Sequence, residues 1–415
     1  MGKYIVQELN RILQELVDKQ SMPGGVLIVN KGEEEVYRGA WGFADKARRL
    51  PAKFNTLYRL ASMSKVVTAI AVMQLVERGV VQLEDQLSQY LPGFSNPMVY
   101  SKFVWQSGYY VPDENFPEGL SQDELVEKGL SAPVIPADRE ITIRDLLCHS
   151  SGIGMGILGN AASYATLDPA DTLESRVKKW EMLPLDFQPG TETGYSAFIG
   201  FDLLGRIVEI VSGLTLEEYF NRNIFDPLGI KDLCFLPNQE QRQRLAKRYF
   251  ADNDKLYAGA DMENEAMDYM MELGMNADFN GYFSGAAGLW GSCEAYNCIA
   301  KLLANEGELK GVRILQKETV RAMHVQAAKK HMEPLAVGQA GCVWGLGVII
   351  FEDASKMNAF ANPGTFGWSG AFGTYMLVDP SLKLTMTFMT SIINSGGNLS
   401  VISNKVEELV FDIWG

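Results

Sequence analysis

Ser62-Met63-Ser64-Lys65-Val66-Val67-Thr68-Ala69-Ile70-Ala71-Val72-Met73-Gln74-Leu75-Val76 opens with a serine and a lysine three residues apart and continues as an apolar run. The run is apolar nearly all round, so the helix expected from Lys65 to Gly79 is a buried one whose first turn can carry a serine into a cleft. Residues three apart share a helix face, so the Lys65 amine can reach the Ser62 hydroxyl, and the helix N-terminus favours developing negative charge. A lysine held in a low dielectric loses its proton more readily and can then take the serine proton in place of histidine. The same S-x-x-K spacing at Ser175-Arg176-Val177-Lys178 lies among Asp171, Glu174, Lys179 and Glu181, which reads as a solvated helix face.

Two later segments offer partners. Gln188-Pro189-Gly190-Thr191-Glu192-Thr193-Gly194-Tyr195-Ser196-Ala197 is a turn feeding Tyr195 into the start of a helix expected to run to Ser212. A tyrosine there can point its phenol at Lys65 and Ser62, and a nearby lysine cation would stabilise its phenolate form. Phe366-Gly367-Trp368-Ser369-Gly370-Ala371-Phe372-Gly373-Thr374-Tyr375 is glycine-rich and leads into a strand. A backbone N–H from this segment, paired with that of Ser62, would make an oxyanion hole.

Competing chemistries find less support. The three histidines, His149, His324 and His331, stand in no H-E-x-x-H and at no metal-ligand spacing, so no metal is expected. G-x-S-x-G is absent, since Gly194 to Phe198 and Gly367 to Ala371 both lack the last glycine, which disfavours an ordinary α/β-hydrolase. Gly154-Met155-Gly156-Ile157-Leu158-Gly159 fits G-x-G-x-x-G but follows a His-Ser-Ser-Gly turn with no βαβ unit around it. His149 reads as a hydrogen-bonded turn residue, and Trp290 and Trp344 as core or cleft wall.

Working outward, Gly24 to Val29 and Glu35 to Gly42 read as a hairpin turning at Asn30-Lys31-Gly32. Val343 to Ile350, Thr374 to Val378 and Leu384 to Met389 read as three more strands, followed by an amphipathic helix from about Val401 to Trp414. Between lies mainly helical sequence, including Ile143 to Leu147 and Glu294 to Glu306. The expected fold class is mixed α/β (α+β): an antiparallel sheet from both termini, flanked by helices, with a large helical insertion. Residues 1–60 and 300–415 would form the sheet lobe and 61–299 the mainly helical lobe, with the catalytic cleft between them. Residues 96–140 and 252–280 read as loop-like excursions that either cover the site or run over the surface, and Met262, Met267, Met270, Met271 and Met275 as packing residues.

Composition narrows the setting. The 415 residues are 47% hydrophobic and 21% charged with a net charge of −14, which suits a globular chain and repels a phosphate backbone or an anionic membrane. Nucleic acid is not an expected partner. The five cysteines, Cys148, Cys234, Cys293, Cys298 and Cys342, form no C-x-x-C and are read as reduced thiols. No signal peptide, myristoylation pattern or membrane span is legible, so the expected location is cytoplasmic. Oligomeric state is not legible.

Ser62-Met63-Ser64-Lys65, Tyr195-Ser196-Ala197 and Trp368-Ser369-Gly370 stand in the order of three motifs, framed by Thr142 to Ile153, Gly288 to Ser292 and Gly307 to Leu315. With these the chain resembles the class C β-lactamase, DD-peptidase and family VIII carboxylesterase group over essentially its whole length. The resemblance implies a β-lactamase/transpeptidase-like fold with Ser62 as acylated nucleophile, Lys65 and Tyr195 as coupled base and acid, and the N–H groups of Ser62 and Ala371 as oxyanion hole. Substrate would bind along Trp368, Ser369, Gly370 and Ala197. Two departures stand out: Ala197 replaces an asparagine that would hold an acylamino group, and Trp368 replaces a lysine that would bind a carboxylate. A tryptophan offers an apolar wall and one N–H donor, so neutral, apolar acyl or alcohol groups are expected in a small-molecule ester or amide substrate, a carboxylic ester first, with no metal or organic cofactor. Amidase, D-aminopeptidase or weak β-lactamase activity, acyl transfer, and a non-catalytic ligand-binding relative are the alternatives.

Overall fold

The computed structural model describes residues 2–19, 21–100, 103–106, 109–112, 134–155, 159, 168, 170–252, 255–258, 281–328, 341–357, 359–394 and 399–415. From the N-terminus come helix α1 (Gly2–Asp18), strands β1 (Gly24–Lys31), β2 (Glu34–Asp45), β3 (Leu50–Pro51) and β4 (Leu57–Arg59), and helix α2 (Ser64–Glu77). The middle contributes α3 (Ile143–Leu147), α4 (Leu173–Trp180), α5 (Ile199–Ser212), β5 (Leu233–Cys234), β6 (Trp290–Ser292) and α6 (Cys293–Ala304). Strands β7 (Cys342–Trp344), β8 (Ile349–Phe351), β9 (Phe366–Gly370), β10 (Thr374–Asp379) and β11 (Leu384–Thr390) and helix α7 (Leu399–Trp414) close the chain.

The two ends meet in one eight-stranded sheet of order β7-β8-β9-β10-β11-β1-β2-β3. Its seam is the antiparallel pair β1 and β11, with Val26 opposite Met389 and Val29 opposite Met386. Both strands are β-branched or apolar over most positions, and β11 is buried at all seven, which requires cover on both faces. Helix α6 packs on β1, β10 and β11, while α1 packs on β2 and α7, and α7 on β11. The expected sheet from both termini, flanked by helices and carrying a helical insertion, is the observed architecture.

One expected strand divides. Val343 to Ile350 is a hairpin of β7 and β8, with Trp344 opposite Ile349, because Gly347 turns the chain at φ +81°. A Cβ there would lie 2.3 Å from the Ala69 Cβ of α2, so glycine is required both by the turn and by its seat on the buried helix. The first hairpin turns at Gly32 and Glu33, so β1 runs two residues past the expected strand end at Val29, with a register shift between Val29 and Asn30.

Helix α2 is buried at twelve of its positions, from Ser64 to Leu75, as its apolar run requires. A short sheet of order β4-β6-β5 lies beside its start. Within the expected excursions, Met98–Tyr100 pairs with Val134–Pro136, and Tyr249–Asp252 pairs with Lys255–Ala258 and, in parallel, with Ile392–Asn394. Most of 96–140 and 252–280, the five methionines named above and His331 lie outside the described residues. No described helix is long and apolar enough to cross a membrane.

Candidate active site

Ser62 occupies a single 3-10 turn, Ala61–Met63, wedged between β4 and α2. Ala61 has φ +44°, a left-handed conformation that a non-glycine residue keeps only where its surroundings over-determine it. They do so here. Leu60 N–H donates to the Leu289 carbonyl at 2.9 Å, Leu289 N–H to Ser64 Oγ at 3.1 Å, and Tyr296 Oη to the Met63 carbonyl at 2.8 Å. The result leaves Ser62 half-buried, while Lys65, one turn on, is 1% exposed.

The Lys65 amine has three neighbours: the Ala197 carbonyl at 2.7 Å, the Ala286 carbonyl at 3.0 Å and Ser62 Oγ at 3.3 Å. An ammonium would donate to all three. A neutral amine has two N–H donors, which the two carbonyls take, leaving its lone pair for the serine hydroxyl. Desolvation drives the amine toward that neutral form, bringing its pKa down to about 7 against the opposing charge of Asp202.

Tyr195 reaches the same oxygen from the other side, its phenol donating to Ser62 Oγ at 2.6 Å. The segment that carries it is docked on a turn built by Thr142 to Gly152. Thr142 and Asp145 form a capping box on α3, and the Asp145 carboxylate also accepts from Ser150 Oγ at 2.8 Å. His149, in the left-handed region at φ +56°, follows. Its carbonyl accepts from Gly194 N–H at 2.9 Å and its Nδ1 from Ser196 N–H at 3.3 Å, so the two residues flanking Tyr195 are both tied to one buried histidine. Burial, aided by the Lys65 charge, holds that imidazole well below its ordinary pKa. Burial also pushes the Tyr195 phenol up to about 12, against the effects of Ser62 and the Trp368 indole. The tyrosine is therefore a neutral phenol at rest, and the phenolate expected beside a lysine is not favoured, because desolvation outweighs the neighbours.

Trp368 is 7% exposed and packs with its ring centroid 5.2 Å from Tyr195 and 4.8 Å from Trp344, which in turn lies 4.3 Å from His149. Its buried indole N–H lies near the Tyr195 phenol but meets full hydrogen-bond geometry with no acceptor among the described residues. Ser369 is exposed, and Gly370 approaches the nucleophile turn so closely that a Cβ would lie 2.2 Å from the Leu60 carbonyl oxygen. The end of β9, with Ala371 next in the chain, is thus pressed against the turn bearing Ser62.

Ser62, Lys65, Tyr195, Ala197 and the 368–371 segment, spread over more than 300 positions, converge. The second S-x-x-K does not join them: Ser175 belongs to the capping box of α4, and the Lys178 side chain is 69% exposed beside Glu174. Gly154 lies in a turn with no strand before it, and 156–158 lie outside the described residues. Sequence reading passed over the Ala286 carbonyl, for which no residue type could serve as signal, and Asp202. The latter did leave a trace, a lone carboxylate within the apolar face of α5 formed by Ile199, Phe201, Leu203 and Leu204.

The profile of the family described as Beta-lactamase matches residues 9–398. Esterase EstB of Burkholderia gladioli is 25% identical over 409 residues, covering 94% of this chain and 92% of that protein. Lovastatin esterase of Penicillium rubens is 29% identical over 338 residues, covering 79% and 76%. Among solved structures, EstCE1, described as a hydrolase with promiscuous acyltransferase activity, superposes with a TM-score of 0.76 at 22% identity over 99% of both chains.

Proposed function

The chain belongs to the Beta-lactamase family of serine hydrolases, and from that membership we propose that it cleaves carboxylic esters through an acyl-enzyme on Ser62. The observation that carries the reading is the hydrogen-bonded set in which Lys65 Nζ and Tyr195 Oη flank Ser62 Oγ at 3.3 and 2.6 Å.

In the first half-reaction the Lys65 lone pair takes the Ser62 proton as Oγ bonds to the ester carbon, and the carbonyl oxygen gains negative charge. The N–H groups of Ser62 and Ala371 receive that oxyanion. The C–O bond to the alcohol then breaks, Tyr195 gives its proton to the departing oxygen, and the Lys65 ammonium restores it. A phenol whose pKa is about 12 stays protonated at rest yet remains a stronger acid than an alkyl alcohol, which suits this donation. Water attacks the acyl-enzyme with the same groups in the reverse order.

The choice of esters over amides rests on Ala197 and Trp368. Neither offers the side-chain amide or ammonium that would hold an acylamino group or a carboxylate, and two relatives are named as esterases. Ser369 and Gly370 would border the substrate at the exposed end of β9. Five scattered cysteines that form no C-x-x-C fit a reducing compartment such as the cytoplasm.

Intact mass after treatment with a fluorophosphonate tests the nucleophile. A single adduct on the wild-type chain and none on Ser62→Ala is expected; labelling of Ser62→Ala would remove the assignment. Turnover of short-chain nitrophenyl esters in preference to a chromogenic cephalosporin is expected, and the opposite preference would move the reading to a β-lactamase.

A further inference from the structure

Asp202 is a fully buried carboxylate on α5, seven residues beyond Tyr195. It accepts hydrogen bonds from the Tyr282 hydroxyl, from Ser284 Oγ at 2.8 Å and from Ala286 N–H at 3.0 Å. The residue whose N–H it takes, Ala286, presents its carbonyl to Lys65 Nζ at 3.0 Å. One peptide segment therefore joins the carboxylate to the amine, donor end to Asp202 and acceptor end to Lys65. Resting on the reading of Lys65 as the base, we propose that Asp202 is a positioning residue for this lysine, acting through the anchored 282–287 segment and through its own negative charge.

Three observations support a charged role. A buried carboxylate receiving three donors is satisfied in its ionised form, whereas a neutral acid would leave one of them facing its proton. The Arg176 guanidinium lies 3.6 Å from the Tyr282 ring centroid, placing a cation behind the same group. The field at Lys65 is otherwise weakly compensated: desolvation lowers its proton affinity, and Asp202 is the group that raises it. Among the described residues, titratable neighbours of the amine include the phenol of Tyr195, kept protonated by burial, and the imidazole of His149, kept neutral by burial. Burial holds the proton affinity of Asp202 above the ordinary carboxylate value, and its Tyr282, Ser284 and Ala286 hydrogen bonds and Arg176 limit that rise. Without that counter-charge a lysine in this pocket would be a weaker base, with its lone pair free over a wider pH range but less able to hold the serine proton.

The test is the pH dependence of the rate of fluorophosphonate labelling of Ser62, measured on the full chain between pH 5 and 9 for wild type, Asp202→Asn and Ser284→Ala. Asp202→Asn keeps the shape and removes the charge, so the acidic limb is expected to move to lower pH by about one unit. Ser284→Ala removes one anchor and keeps the charge, so several-fold slower labelling with an unmoved limb is expected. A limb unmoved in Asp202→Asn would overturn the electrostatic role, since a merely structural residue changes rate without shifting the profile. Should Asp202→Asn fail to fold, Ser284→Ala labelling at the wild-type rate would overturn the anchoring role. Absence of labelling in the wild type would instead remove the nucleophile assignment on which the inference rests.

Discussion

At the scale of single residues, the site is a problem in where protons rest. Lys65 is driven toward its neutral form by burial, so activity that needs its lone pair is expected to rise with pH through about 7. Tyr195 keeps its proton to about 12, so no fall is expected on the alkaline side before about that pH. A kcat/KM profile that rises once and then stays level to pH 10 would match; a bell centred near neutrality would mean that a third group titrates. Lys65→Ala and Tyr195→Phe should each lower kcat by roughly 10²- to 10⁴-fold while leaving Ser62 in place, as removal of a general base or acid does. An effect confined to one of the two would break the shared proton path.

At the scale of elements, two close backbone approaches seat the machinery. The 3-10 turn of Ala61–Met63 is held in its strained form by Leu289 and Tyr296, and β9 leans on it through Gly370. Gly370→Ala would drive a Cβ into the Leu60 carbonyl, so the strand end must retreat from Ser62. On the proposed role of the Ala371 N–H as an oxyanion donor, a loss of kcat of at least tenfold, with a smaller change in thermal midpoint, is expected from a displacement of a fraction of an ångström. A variant with wild-type kcat would show that β9 takes no part in holding the reacting group. Gly347→Ala should act differently. Its Cβ would meet Ala69 inside the core and its φ is unfavourable for alanine, so about 2 kcal/mol of stability should be lost, measured by urea unfolding.

At the scale of the whole molecule, stability depends on fastening the C-terminal helix to a sheet made from both ends of the chain. Glu407 on α7 is fully buried and accepts from Phe360 N–H at 2.7 Å, Ala361 N–H at 2.8 Å and Tyr375 Oη at 2.8 Å. Glu407→Ala would leave three donors, one buried and two part-buried, without this acceptor and should lower stability by about 2 kcal/mol, with fluorophosphonate labelling retained at low temperature. An unchanged urea midpoint would show that this tie is dispensable.

Much of this was legible in the letters. Helix α2, α3 and α6, the strands at both ends, and the pairing of Ser62 with Lys65 are local patterns, repeating every two or about 3.6 residues, and local patterns survive in a linear text. The division of Val343 to Ile350 was not legible, because an apolar run reads as a strand until the seat of Gly347 on Ala69 is known. The resting form of Tyr195 was not legible either, since desolvation is a property of everything packed around the phenol and not of its neighbours in sequence. The sequence by itself determined the fold class, the order of the three motifs and the side chains available for chemistry. Only the tertiary structure decided that the carbonyls of Ala197 and Ala286 accept hydrogen bonds from Lys65 Nζ, and that Asp202 stands behind one of them. Every residue carries a carbonyl, and packing alone selects which of them faces a lysine.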